Sequence, residues 1–217
     1  MKRILIASLL VVLLAGCSTP SFLTGRLVGS GNLVSRSYDL SGFTKIEAND
    51  AAQITVTRGD TYSVNVEVDD NVEPRLEVKV TGDTLHIGLT EGSIGLITFR
   101  AQVTMPTLTG VTLDGASSLT ASLSGEDLAV DLNGASAATL TGTAGRVTVK
   151  ADGASRALLS GLAAGDVEVN TNGASRAEVN SSGAVTGKAD GASTVVVSGT
   201  PTSVNVQTDG ISRVIRQ

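Results

Sequence analysis

One four-residue phrase returns six times in the second half of this chain. It reads DGAS at 114–117, NGAS at 133–136, DGAS at 152–155, NGAS at 172–175, DGAS at 190–193 and DGIS at 209–212. Successive copies start 19, 19, 20, 18 and 19 residues apart. A period near twenty is the mark of a solenoid, in which each repeat is one unit that cannot bury its own apolar face and must stack on its neighbour.

The residues between the phrases alternate, as strands do when one face is buried. Leu128, Val130 and Leu132 precede one corner; Val147, Val149 and Ala151, then Val167, Val169 and Thr171, then Val204, Val206 and Thr208 precede others. Asp131, Lys150, Glu168 and Gln207 stand between them and belong in water. After the corners, Leu119 and Ala121, Ala138 and Leu140, Ala157 and Leu159, Ala177 and Val179, and Val195 and Val197 point inward. A looser glycine turn closes each repeat, at Gly125, Gly142, Gly161, Gly183 or Gly199. The expected fold is all-β, a parallel β-helix of 18–20 residues per coil. Hairpins would not need successive turns to share one identity. Stacked coils do, because equivalent corners lie ~4.8 Å apart and must repeat one geometry.

The corner residues have turn chemistry. Asx side chains bond nearby backbone, and glycine accepts positive φ. The Ala or Ile that follows is expected to face the interior, with the serine bonding backbone or stacking in a hydroxyl ladder. Aspartates at adjacent levels would repel by ~0.9 kcal/mol in water, which Asn133 and Asn172 relieve in the first four levels but not between Asp190 and Asp209.

Residues 33–110 lack the phrase but keep the alternation in AAQITVTRG (51–59), YSVNVEV (62–68), RLEVKV (75–80) and TLHIGL (84–89). A hairpin about Gly82-Asp83 is expected, and Asn49-Asp50 precedes its strand as the later Asx residues do. This half reads as irregular coils and a cap on the regular helix of residues 111–217.

The N-terminus carries a separate message. Lys2 and Arg3, the apolar run Ile4 to Leu14 and LAGC at 14–17 read as a signal peptide, residues 1–16. The apolar run is shorter than the ~20 residues a spanning helix needs. LAGC resembles the lipobox of bacterial lipoproteins, which implies cleavage before Cys17 and acylation of Cys17, the single cysteine. Several acyl chains on one residue anchor stably, at ~0.8 kcal/mol per buried CH₂. Ser18 in place of aspartate implies the outer membrane. Residues 17–32 are then a lipidated tether. Without a second cysteine, disulfides and thiolate metal sites are excluded. Removal of Lys2 and Arg3 leaves 14 basic against 21 acidic residues, a formal −7. That charge opposes nucleic-acid binding, which depends on neutralising phosphates. The aromatic fraction of 2% fits a narrow interior of small residues, since rings are the usual fillers of a thick core.

The run YDLSGFTKIEANDAAQITVTRGDTYSVNVEVDDNVEPRLEVKVTGDTLHIGL (38–89), continuing into the repeated corners, resembles the autotransporter-adhesin head, or GIN, domain family. The resemblance covers roughly residues 33–217. It implies a right-handed β-helix-like fold and a secreted or lipid-anchored place in the bacterial envelope. NDAAQI stands where members often have Gly- and Ile/Val-rich text.

Chemistry is weighed against that background. A serine nucleophile on the corner would need G-x-S-x-G, but Leu119, Ala138, Ala157, Ala177, Val195 and Val214 occupy the final position. His86, the single histidine, could serve at most one of the six serines. Asp114, Asp152, Asp190 and Asp209, with Arg156, Arg176 and Arg213 four residues past their corners, could suggest a polysaccharide-cleaving face. Their recurrence marks them first as turn formers. Calcium would need six to eight oxygens that this spacing does not gather. The expectation is therefore no catalytic residue, no cofactor and no metal. The partners expected are the membrane, through Cys17, and an envelope protein or glycan. A carbohydrate-processing enzyme and a self-assembling scaffold are the alternatives.

Overall fold

The computed structural model describes residues 26–90 and 95–217. Cys17, the expected signal segment and the start of the expected tether lie outside them. The N-terminal half forms β1 (Leu33–Tyr38), β2 (Lys45–Ala48), β3 (Gln53–Arg58), β4 (Ser63–Asp69), β5 (Leu76–Thr81), β6 (Thr84–Leu89) and β7 (Phe99–Met105). The repeats form β8 (Gly110–Leu113), β9 (Ser118–Ser124), β10 (Leu128–Leu132), β11 (Ala137–Ala144), β12 (Val147–Ala151) and β13 (Arg156–Ala164). They continue through β14 (Val167–Thr171), β15 (Arg176–Ser181), β16 (Ala184–Ala189), β17 (Thr194–Gly199), β18 (Ser203–Thr208) and β19 (Arg213–Arg216).

Each corner carries the chain from one sheet to the other, so a coil is a strand, a corner and a strand on the opposite face. The ten-stranded sheet runs β1-β4-β7-β3-β9-β11-β13-β15-β17-β19, and the nine-stranded sheet runs β18-β16-β14-β12-β10-β8-β2-β6-β5. From β2 and β3 to β18 and β19 every pairing is parallel. The protein is a parallel β-solenoid flattened into two facing sheets.

Register makes the core. Val111, Val130, Val149 and Val169 stand in file across one sheet. Leu119, Ala138, Ala157, Ala177 and Val195 stand in file across the other. All are buried, each fully buried Val or Leu side chain contributing ~1.5–3 kcal/mol. The last coil differs: Val204 and Val206 are only partly buried and Thr208 is exposed, because β18 and β19 are the terminal strands of their sheets.

The corner overturns one expectation. Ala116, Ala135, Ala154, Ala174 and Ala192 are exposed, and Ile211 is exposed as well. The serines turn inward instead: Ser136, Ser155 and Ser193 are fully buried. The alanine N–H groups run the stack, Ala135 donating to Gly115, Ala154 to Gly134 and Ala174 to Gly153 at 2.7 Å. Serine hydroxyls reach back one coil, Ser136 to the Leu113 carbonyl (3.2 Å), Ser155 to Leu132 (3.3 Å) and Ser175 to Ala151 (2.8 Å). Ser193 instead pairs with the Thr171 hydroxyl at 2.9 Å. Alanine needs no burial there because its role is its backbone.

Asn49-Asp50-Ala51-Ala52 occupies the same corner column. Asp114 N–H donates to Ala48, and Ser118 N–H to Ala52, as later corners do to their predecessors. Asp50 and Ala51 adopt positive φ, 61° and 64°. The Asp50 carboxylate accepts the Leu89 N–H at 2.9 Å, a tertiary bond that ties this corner to β6.

The N-terminal half reorders its strands. β6 and β7 form a level stacked parallel on β2 and β3, although they come later in the chain. Antiparallel β5 pairs with β6 in the expected hairpin. Antiparallel β4 covers β7, and β1 covers β4. The bulky residues collect here, with Phe43, Phe99 and Met105 buried and Phe43 against Tyr62 at 4.8 Å between centroids. From Leu27 the tether is already pinned: Leu27 O accepts Gly95 N–H and Gly29 N–H reaches Leu96 O. Buried Asp69 ties these pieces together, its carboxylate accepting Gly31 N–H at 2.8 Å and Thr98 N–H at 2.6 Å.

Candidate functional site

The strands present their odd-numbered side chains to the core and their even-numbered ones to solvent, or the reverse, so each sheet has one flat polar face. On the nine-stranded sheet, the outward side chains Lys79, His86, Glu47, Thr112, Asp131 and Lys150 fall in one row across neighbouring strands. The parallel row narrows to Gly110 and Ala129 between Lys45 and Thr148. These two small residues floor a hollow of about 280 Å³, edged by Lys45, Glu47, Asp131 and Lys150. A second hollow of about 200 Å³ adjoins it and shares Glu47, with Asn49, Glu77, Lys79 and His86 on its walls.

The charges in this furrow are mostly paired with each other. His86 Nδ1 lies 3.4 Å from Glu47, and Lys45 bridges to Asp83 at 3.0 Å. Lys79 hydrogen-bonds Glu77, and this bond, with the ammonium's charge, holds the Glu77 carboxyl below its ordinary range. Asp83 is lowered likewise by its hydrogen bond to Lys45. Such a furrow can offer hydrogen-bond donors and acceptors to a polar ligand.

The sequence candidates do not meet there. Ser117, Ser136, Ser155, Ser175 and Ser193 are buried toward the core, Ser212 on the last coil is half-buried, and His86 lies out on a sheet face. The corner residues Asp114, Asp152, Asp190 and Asp209 form a column on the outside of the turn; Asp209, like Asn172, accepts the N–H of the glycine after it. Among the described residues no group of three or more His, Cys, Asp or Glu side chains is arranged to hold a metal ion. No described helix is long and apolar enough to cross a membrane.

The family described as "Putative auto-transporter adhesin, head GIN domain" matches residues 42–201, more than half of the chain. The protein belongs to this family. Its fold is shared with solved head-like structures. An adhesin-described protein of Bacteroides fragilis has TM-score 0.67 and 18% identity, over 88% of this chain and 100% of that one. One from Parabacteroides distasonis has TM-score 0.55 and 15% identity over 88% and 100%. A second protein of that organism, described as lipid-binding, has TM-score 0.52 and 16% identity over 88% and 99%. At these identities the likeness is one of fold. No curated protein matches this chain.

Within the head GIN domain, sequence reading missed Asp69 and the Glu47–His86 furrow. Asp69 closes β4, and its sequence position carries no signal of the distant N–H groups it accepts. Glu47 and His86 are 39 positions apart, and only the parallel pairing of β2 with β6 brings them side by side.

Proposed function

We propose that this head GIN domain is a lipid-anchored, non-enzymatic module of the bacterial envelope that displays its sheet faces to a surface partner. The observation that carries the reading is the direction of the stack. The chain enters at the capped end, where β1 is the edge strand, and the corner-bearing coils run from there to β18 and β19 at the other end. An acylated Cys17 would therefore hold the cap against the bilayer and project the regular coils outward by roughly 30 Å, at ~4.8 Å per level. Family membership and the two flat polar faces support a binding role. The inward-facing serines argue against acyl chemistry at the repeats.

The test has two parts. Mass analysis of the mature N-terminal peptide should find diacylglycerol and acyl groups on Cys17, and Cys17→Ser should move the protein from the membrane to the soluble fraction. The acylated protein should then capture a specific partner from envelope extracts without altering it. Hydrolysis or eliminative cleavage of an envelope glycan by the purified chain would overturn the non-enzymatic reading.

A further inference from the structure

We infer that the distal half of the ten-stranded sheet is a binding strip for an acidic polysaccharide, with Arg156, Arg176 and Arg213 as its anion contacts. The inference deepens the display reading above and rests on it for access to the partner.

The pairing puts these arginines in one outward column. Ala137 is registered with Arg156, Arg156 with Arg176, Arg176 with Thr194 and Thr194 with Arg213. Beside it runs a second outward column, Thr139, Leu158, Glu178, Val196 and Ile215. Val196 is buried at 4% exposure yet is not part of the core cluster, and Ile215 is 39% exposed. Glu178 is the one acidic residue in β9, β11, β13, β15, β17 and β19. In a chain with 21 acidic and 16 basic residues, an almost acid-free face is a local reversal of charge.

Outside the column six cations are matched, while Arg75, Lys150, Lys188 and Arg216 form no ion pair among the described residues. Arg36, Lys45, Arg58, Lys79, Arg100 and Arg146 each have a carboxylate partner. In the column only Arg176 does, through Nε to Glu178 at 2.7 Å. Arg156 and Arg213 form no ion pair among the described residues. Like charges directly opposite on neighbouring strands are destabilising, so Arg156 against Arg176 works against the sheet. Protection of an open edge by charge accounts for Arg213 and Arg216 on the terminal strand β19. It does not account for Arg156 and Arg176 on the interior strands β13 and β15.

Guanidinium groups favour carboxylate and phosphate because their planar fork matches both oxygens. The arginines lie on three of four successive levels, ~14 Å along the axis, one side chain wide. A linear polymer carrying anions fits that shape, and half-buried Leu158 and exposed Ile215 of the neighbouring column can receive the C–H faces of its sugar rings. A bilayer fits less well. The corner aspartates Asp152, Asp190 and Asp209 border the column, and a flat anionic surface would be pressed against them.

Binding of the full chain, in a neutral detergent, should be measured with polygalacturonate and a phosphorylated mannan, with dextran and phosphatidylglycerol vesicles alongside. The acidic glycans should bind, dextran should not, and affinity should fall steeply with salt. Arg156→Gln and Arg213→Gln should each weaken binding about tenfold, as loss of one charge-assisted contact predicts, and flatten the salt dependence. Lys188→Gln, on the other sheet, should leave it unchanged. Unaltered melting temperatures show that the variants are folded. The inference fails if neither acidic glycan binds, if vesicles bind and glycans do not, or if Lys188→Gln costs as much as the arginine variants. Capture of an envelope partner without any affinity for acidic glycans would sink the strip and leave the display reading standing.

Discussion

Gly153 lies so close over Gly134 that a Cβ added to it would fall 2.6 Å from the Gly134 carbonyl oxygen. That oxygen is the acceptor for the Ala154 N–H, so the bond that stacks the corner draws the two backbones together. Gly153 also has φ 78°. Stacking and dihedral both demand glycine, for separate reasons.

The two reasons can be measured apart. Gly153→Ala should destabilise the domain by about 3 kcal/mol or more, combining a left-handed penalty of ~1–2 kcal/mol with a backbone clash. Gly82 in the cap hairpin has φ 62° but open space around its Cβ position, so Gly82→Ala should cost only the ~1–2 kcal/mol of conformation. Urea denaturation of both variants gives the difference. Equal costs would mean that the close approach has no energetic weight.

Two corner serines should respond oppositely. Ser155→Ala removes a buried hydrogen bond to Leu132, but that carbonyl keeps its Asp152 N–H donor. No group is left orphaned, and a loss of about 1 kcal/mol is expected. The buried Ser117 hydroxyl has no hydrogen-bond partner among the described residues, so Ser117→Ala should be neutral or stabilising by up to ~1 kcal/mol. Thermal unfolding of the pair provides the check; a larger loss at Ser117 would contradict it.

Asp69 should be the most sensitive residue of the cap. Asp69→Ala removes the shared acceptor of the Gly31 and Thr98 N–H groups in a part-buried setting and should cost about 2 kcal/mol. Hydrogen exchange at Gly31 and Thr98 should accelerate well before the repeat strands open. Unchanged protection there would show that the carboxylate does not lock the chain entry.

The Glu77–Lys79 pair predicts a pH effect with a definite sign. The folded carboxyl titrates below its unfolded value because Lys79 donates to it. The contribution is therefore present above the unfolded value and lost as pH falls through the lower, folded one. Carboxyl NMR should place the Glu77 midpoint below that of an unpaired glutamate, and Lys79→Gln should return it toward the ordinary range. As the pair is solvent-exposed, global stability should barely move.

Much of this architecture is legible as text. Corner spacing counts the coils, and period-two alternation names the inward residues from Leu119 to Val197. The same counting, carried back two residues from Leu119, puts Ser117 inside and Ala116 outside. Small size alone had suggested the reverse, but a hydroxyl can be buried once a carbonyl of the preceding coil accepts from it. Terminal Val204 and Val206 obey the alternation and still remain partly open, since burial requires a neighbouring level as well as a face.

Sequence by itself determined the repeat, the two faces and the corner chemistry, because a solenoid's contacts are between near neighbours in the chain and recur at a fixed period. Tertiary structure alone decided the rest. Whether β4 and β1 pair antiparallel, and whether β6 and β7 stack beneath earlier strands, cannot be read from alternation that is identical for either pairing. The furrow at Glu47 and His86 and the ladder position of each arginine depend on that order. They follow from which strands become neighbours, a choice made by long-range packing rather than by any local run of residues.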